Sequence, residues 1–304
     1  MAQPILTFTG NPLAETTFEC LDWHPGGTFR ARSSSFQVGG KGINVSKMLT
    51  RLRAPNTALC FPGGAPGAEC EAWLRAKGFA LKAFPSEAPT RCGTVVRGSG
   101  QAETTFLGPD APATAGAVRA CAEYLDALPD GQVLAICGSI PGWTGSEWQP
   151  LREALGRWLQ RGALTVDTYG PPLAWLAAQP LALIKINAVE LRTLGYGGAD
   201  AGAVLAAVDR HSPVRCWVVS DGPGTVWLRD ETGAVTSVTP PRVQEVSATG
   251  AGDVLHASLL DSLFRQGLTL GEAVARALPL ASANAAHAGI AEFPYVDGAE
   301  PPRD

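Results

Sequence analysis

Short apolar runs of strand length recur along this chain, separated by longer stretches with helical spacing. The runs at 5–8 (ILTF), 57–61 (TALCF), 133–138 (VLAICG), 163–168 (ALTVDT), 181–187 (LALIKIN) and 215–222 (RCWVVSDG) alternate with helix-like segments at 43–52, 68–78, 115–128, 146–162 and 201–211. A strand that is apolar on both sides must be covered on both sides, and a helix between successive strands returns the chain for parallel pairing. The alternation predicts an α/β fold: a doubly wound, mostly parallel sheet with helices on both faces. At 304 residues, 45% of them hydrophobic, the chain suits one large domain spanning 1–304 with an elaboration.

Two segments break the alternation. Residues 15–38 (ETTFECLDWHPGGTFRARSSSFQV) and 90–107 (TRCGTVVRGSGQAETTFL) are rich in Thr, Val and Phe and carry glycine turns. They read as antiparallel hairpins of a small β lid, formed from about 12–38 and 90–108. A lid of this size cannot hide both of its faces, which predicts a homodimer built through it.

The formal net charge of −4 leaves no basic footprint for nucleic acid. No run approaches the roughly 18 apolar residues of a membrane span, and MAQPILTFTG lacks the pattern of a secretory leader, so the expected location is the cytoplasm. The seven cysteines show no C-x-x-C spacing and read as reduced core residues. His24, His211, His256 and His287 include no i, i+4 pair, which argues against structural zinc, and His256 reads as a partly buried side chain.

In an open parallel sheet, ligands bind beyond the carboxyl ends of the strands. Just past the predicted strands stand Gly138 and Ser139, Asp167 and Thr168, Lys185, Asn187 and Glu190, Ser220 to Gly222, and Thr249 to Asp253. Each alone suits a cap or a turn; together they predict a polar cleft. The stretch VSATGAGDVLHASLLDSLF (246–264) places a helix after its glycines, so the amides of Gly250, Ala251 and Gly252 would form an anion hole at a helix N-terminus. Asp253, in the first helical turn, suits either a dipole-stabilised acid or a general base beside a migrating phosphoryl group, and the second role is preferred here.

In VGGKGINVSKML (38–49), Gly39 and Gly40 allow a hinge or a close ligand approach, and Lys41 and Asn44 would reach a sugar phosphate or its hydroxyls. A turn before an ordinary helix with a solvated lysine has the same pattern. In KINAVEL, Asn187 and Glu190 stand at i and i+3, expected on one helical face and able to help hold Mg²⁺, although a surface Asn and a helix-start Glu look alike locally. G-x-x-x-x-G-K-[ST] is absent, and Leu255 stands where a dinucleotide G-x-G-x-x-G needs its third glycine.

Taken together, GGKGINVSKMLTRL, KINAVEL and TGAGD resemble, in this order and spacing, the ribokinase-like (PfkB) carbohydrate kinases over nearly the whole chain. Within that family, Asn11-Pro12, GGKGIN, Thr90-Arg91, GSIPG at 138–142 and Asp167-Thr168 are most similar to the 1-phosphofructokinase and tagatose-6-phosphate kinase branch. The resemblance implies that Asp253 is the catalytic base and that Lys41 and Arg91 bind the phosphate already on the substrate. It places Glu15, Gly39, Gly40, Asn44 and Ser139 at the sugar. Lys185, Ser220, Gly222, Thr249 and Asn284 would lie along ATP, with Asn187 and Glu190 holding Mg²⁺ through water.

Four departures from the branch fall near the substrate: Glu15 where it carries Asp, Gly93 for Asn, Ile186 for Pro, and Ser247-Ala248 for Asn-Thr. The implied activity is ATP-dependent phosphorylation of a sugar phosphate hydroxyl, with fructose 1-phosphate first. Tagatose 6-phosphate or another sugar or nucleoside is the alternative acceptor. A sugar-phosphate binding protein without turnover is the competing class, disfavoured by the retained Asp253 and Gly-Ala-Gly loop.

Overall fold

The computed structural model describes residues 3–98, 103–208 and 212–301. The tip of the second predicted hairpin, at 99–102, and His211, at the end of the predicted 201–211 helix, lie outside them. In chain order the elements are β1 (Ile5–Thr9), β2 (Leu13–Cys20), β3 (Ser33–Gly39), α1 (Lys41–Arg51), β4 (Asn56–Cys60), α2 (Gly64–Ala76), β5 (Leu81–Ala83), β6 (Arg91–Gly98), β7 (Thr104–Leu107), α3 (Ala115–Ala127) and β8 (Val133–Cys137). There follow α4 (Gln149–Trp158), β9 (Ala163–Asp167), α5 (Pro171–Leu176), β10 (Leu183–Asn187), α6 (Ala188–Arg192), α7 (Ala201–Ala207), β11 (Cys216–Ser220), β12 (Val226–Arg229), β13 (Val235–Val238), α8 (Ala251–Phe264) and α9 (Leu270–Ala285).

Among the described residues the strands form two sheets. The larger has nine strands in the order β13-β12-β11-β10-β9-β8-β1-β4-β5. It is parallel from β5 to β11 and antiparallel at the β11-β12-β13 edge. The alternation of side chains fixes what each strand gives to each face. Leu134 and Ile136 of β8 and Leu164 and Val166 of β9 pack into one core with α3, α4, α5 and α7. Ala135 and Cys137 face the other side, where α1, α8 and α9 close a second core. Thr165 and Asp167 of β9 share that second face, one residue out of phase with Leu164 and Val166.

The smaller sheet has the order β3-β2-β6-β7. Its two hairpins are antiparallel, β2 with β3 and β6 with β7, and a parallel pairing of β2 with β6 joins them. Its strands are inserted between β1 and α1 and between β5 and α3, both at the carboxyl end of the larger sheet.

Several elements escape the sequence pattern for physical reasons. β5, β12 and β13 span only three or four residues at the sheet edges, too short for a two-sided apolar run. Helix α9 follows α8 with no strand between them, so alternation does not announce it, although Thr269 and Glu272 form a capping box at its start. All seven cysteines are free; Cys60, Cys70, Cys121 and Cys137 are buried, but Cys92 is exposed and Cys20 and Cys216 lie between, so only four are core residues. Among the described residues no helix is long and apolar enough to cross a membrane.

Candidate active site

The strand order reverses between β1 and β8: from β1 the chain winds outward through β4 and β5, and from β8 it winds the opposite way. Neighbouring connections leave such a point in opposite directions and open a crevice at the carboxyl ends. A cleft of about 880 Å³ runs there between the two sheets, with a side pocket of about 90 Å³ opening beside β1 and β8.

The floor of the cleft is the N-terminus of α8. Gly250 caps it in the left-handed region at φ 79°, and a Cβ there would lie 2.6 Å from Ile290 Cγ2. A Cβ on Gly252 would lie 2.7 Å from Lys185 Nζ, so that glycine brings an ammonium against the amide loop. Gly250, Ala251 and Gly252 of this 14-residue helix start line the cleft; the Ala251 N–H already donates to Ala248 O at 3.3 Å.

Asn284 does not reach this surface. Fully buried, it donates to Thr249 O at 2.9 Å and accepts from Ala291 N at 2.8 Å, bracing the amide loop from behind. The expectation that it lies along ATP is corrected to a supporting place, whereas Thr249 itself lines the cleft.

Asp253 is 5% exposed, and its Oδ2 accepts from Asn44 Nδ2 at 2.7 Å. Asn44 arrives on α1, which lies tight against β1: a Cβ on Gly42 would come within 2.6 Å of Phe8 O, and Gly40 caps the helix at φ 119°. Burial, reinforced by the neighbouring Asp167 carboxylate, pushes the Asp253 carboxyl up to about 6. A carboxylate of that basicity, in hydrogen-bond reach of the cleft and beside an anion hole, is equipped to take a proton near neutral pH.

Under Asp253 lies a buried ionic cluster. Asp167 Oδ1 accepts from Lys41 Nζ at 2.6 Å and its Oδ2 from Lys185 Nζ at 2.7 Å. Burial opposes the Asp167 charge, but Lys185 and Lys41 outweigh it and hold this carboxyl well below the usual range. Burial likewise opposes the Lys41 charge, and Asp167, Glu190 and Asp253 outweigh it, keeping an ammonium. Lys41 is therefore not a solvated lysine. His256, one helical turn beyond Asp253, is fully buried rather than partly so, near Cys137 and Thr165, and burial lowers it to about 4, so it is neutral.

Asn187 and Glu190 do not share a helical face. Asn187 stands before α6 in extended conformation; its side chain accepts from Glu190 N at 2.8 Å, and Glu190 Oε2 accepts from Asn187 N at 2.9 Å. This capping box holds Asn187, which lines the cleft, against Glu190, which does not line it and whose Oε1 lies 3.5 Å from Lys41 Nζ. Among the described residues no three His, Cys, Asp or Glu side chains gather as a metal cage.

The side pocket is lined by two cationic side chains. Lys41 and Arg91 line it with Asn11 and Ser139. Asn11 donates to Ser139 Oγ at 2.9 Å and to Asp110 Oδ1 at 2.7 Å, and Arg91 Nη1 lies 3.3 Å from the same Asp110 oxygen. Arg91 Nε, Asn11 Oδ1 and Thr9 Oγ1 are buried with no hydrogen-bond partner in the protein. Toward the small sheet, Glu15 accepts a short hydrogen bond from Gln37 and lines the cleft with Gly39. A Cβ on Gly93 would meet Leu13 Cδ1 at 3.0 Å, so the Asn expected there would force Leu13 aside.

At the opposite end, Ser220 and Gly222 are joined by Pro223, Val226, Pro241 and Val243 in an apolar slot. The sequence patterns miss Arg97, Thr105 and Leu107 of the small sheet, which also face the cleft. The period-2 alternation of β6 and β7 marks which of their residues share a face, but only the docking of the small sheet decides which face that is.

The pfkB family of carbohydrate kinases matches residues 13–295. The chain is 26% identical to 1-phosphofructokinase of Bacillus subtilis, over 89% of this chain and 92% of that one. To 1-phosphofructokinase of Haloferax volcanii it is 32% identical, over 84% and 83%. The tetrameric inhibited form of phosphofructokinase-2 from Escherichia coli superposes with a TM-score of 0.83 at 25% identity, covering 93% of this chain and 94% of that one. The likeness spans the large sheet, the inserted strands and the amide loop alike, and the chain belongs to the pfkB family of carbohydrate kinases, enzymes that phosphorylate sugars with ATP.

Proposed function

We propose that the protein transfers the γ-phosphoryl group of ATP to a hydroxyl of a phosphorylated ketohexose, fructose 1-phosphate before others. The observation that carries this reading is the side pocket, where two cations, Lys41 and Arg91, surround buried polar atoms without partners. A neutral sugar answers the orphaned polar atoms but not the charge, whereas a phosphate dianion is matched by both cations and accepts from Arg91 Nε, leaving Asn11 Oδ1 for a hydroxyl of the same substrate. The names of the curated relatives above agree with it.

With the acceptor phosphate in the side pocket, its free hydroxyl would turn toward Asp253. Asp253 takes the hydroxyl proton as the oxygen bonds to the γ-phosphorus and the bond to ADP breaks. The amides of Gly250, Ala251 and Gly252, with Lys185 against Gly252, face the charge that builds on the transferring oxygens. Ser220, Gly222 and the apolar slot would take the nucleotide.

Mg²⁺ suits this site through Asn187 and Glu190, because an ion shared with phosphates and waters needs only one or two protein oxygens. When bound it would neutralise phosphate charge. The small sheet would act as a lid that excludes water, with Glu15, Gly39 and Gly40 at the sugar. Phe106, which alternates with the cleft-facing Thr105 and Leu107, stays exposed, as do Leu21 and Phe29 in the β2–β3 connection, which supports a homodimer through that sheet.

The test is ADP release from Mg·ATP against fructose 1-phosphate, fructose 6-phosphate, tagatose 6-phosphate, fructose, ribose and adenosine. Turnover of a phosphorylated ketose with no turnover of the neutral acceptors is the expected result. Turnover of ribose or adenosine alone would refute the phosphate-pocket reading.

A further inference from the structure

Asp167 lines neither the cleft nor the side pocket, yet it touches two side chains that do. Lys41 reaches the side pocket from the start of α1, and Lys185 comes up from β10 against Gly252 of the amide loop. These lysines arrive from elements far apart in sequence, and each carries a flexible four-carbon stem. An ammonium on such a stem has no preferred direction of its own, so whatever anchors it decides where its charge is presented. Here the anchor is shared: one oxygen of Asp167 holds each ammonium, at 2.6 and 2.7 Å. The strand pattern explains the placement, since Asp167 ends β9 on the face under α8, paired in register with Cys137 of β8. As a stability device the arrangement is poor, because a buried ion pair returns little net free energy over an apolar replacement. As a spacer it sets the distance between two substrate-facing charges.

We infer that Asp167 is a positioning residue for phosphoryl transfer, a single buried carboxylate that holds Lys41 at the acceptor phosphate and Lys185 at the amide loop in one fixed relation. The inference rests on the roles proposed above for those two lysines. Asp167 makes no contact with substrate and acts through both of them.

The experiment compares Asp167→Asn, Lys41→Met and Lys185→Met by steady-state kinetics with the acceptor turned over by the parent enzyme, together with thermal melting. Lys41→Met is expected to raise the acceptor KM and Lys185→Met the ATP KM, each by roughly tenfold or more and each sparing the other substrate within about twofold. Asp167→Asn is expected to raise both KM values together. A purely structural role would lower the melting temperature and the active fraction while leaving both KM values at the parent level, and that result would overturn the inference. If Asp167→Asn does not fold, the coupling is read from the double variant Lys41→Met/Lys185→Met. A shared anchor makes the two losses in kcat/KM non-additive, and simple additivity would overturn it. Should no phosphorylated ketose be a substrate, the functional reading fails separately. Calorimetric binding of a non-hydrolysable ATP analogue then still tests the anchor: equal weakening by Asp167→Asn and Lys185→Met sustains it, and unweakened binding to Asp167→Asn refutes it.

Discussion

Replacing Asp253 with Asn should slow catalysis by orders of magnitude and stabilise the protein, for the same reason. The side chain is buried, and its carboxyl is raised from 3.8 to about 6 by burial and then by the Asp167 charge. A carboxyl whose folded pKa lies above its unfolded value destabilises the fold once ionised, so a gap of about two units corresponds to a penalty of about 3 kcal/mol, to order of magnitude. That penalty is absent below about pH 3, where both states are protonated, grows as the pH rises through the unfolded value of 3.8, and is complete above about pH 7. Asn keeps an oxygen able to accept from Asn44 Nδ2 but carries no charge.

The expected signature has two parts. ADP release by Asp253→Asn should fall roughly 10²- to 10⁴-fold, the contribution of a positioned general base. By calorimetry or circular dichroism, the variant should melt about 6 °C above the parent at pH 8, taking roughly 2 °C per kcal/mol for a chain of this size. The difference should shrink to about 1 °C near pH 4. A variant that keeps parental turnover would show that Asp253 is not the base. A melting difference that is negative, or the same at both pH values, would show that the carboxylate carries no burial penalty and that its raised basicity is wrong.

Other consequences follow from the same geometry. The acid limb of kcat/KM in the parent should fall near pH 6, and Asn44→Ala should move it upward by roughly one unit, because a hydrogen bond that favours the carboxylate is lost; a pH–rate profile reads this, and a downward shift would contradict it. Gly250→Ala should lower stability by about 1–2 kcal/mol through its positive φ and raise the ATP KM, with partial recovery when Ile290→Ala removes the side chain its Cβ would strike. Glu190→Gln keeps an acceptor for Asn187 N, so melting should stay within about 1 °C while the Mg²⁺ needed for half-maximal rate rises several-fold or more. Phe106, 57% exposed on the small sheet, should when changed to Asp turn a sedimenting dimer into a folded monomer.

The sequence was most legible where physics demands one residue type. Interior strands must be apolar on both faces, and the central strands of the large sheet all announce themselves; β12 is buried but only four residues long, and the edge strands β5 and β13 have neither the length nor the burial to do so. Gly42, Gly250 and Gly252 stand out because a Cβ at each would press on Phe8 O, Ile290 and Lys185, and those close approaches bring α1, β10 and α8 together at the cleft. Polar residues are less legible, since a side chain that points at a ligand and one that satisfies buried backbone look alike in a string of letters. Asn284 is the second kind, and Asn187 with Glu190 became a capping box because α6 begins one residue later than a shared helical face requires.

Asp167 sits between these cases. Its place at a strand end marks it as a cleft candidate, but its partners are 126 and 18 residues away, and no local spacing encodes that distance. What joins them is topology: β10 pairs directly with β9, Ile184 beside Val166, and brings Lys185 alongside, whereas Lys41 arrives on α1 from the other side of the β1–β8 switch. The reversal that opens the crevice thus also brings Lys41 to the carboxylate that strand pairing has already given Lys185. The amide loop recurs as a recognisable string because its chemistry is local, whereas the charge that supports it is assembled across the fold and is visible only once the chain is folded.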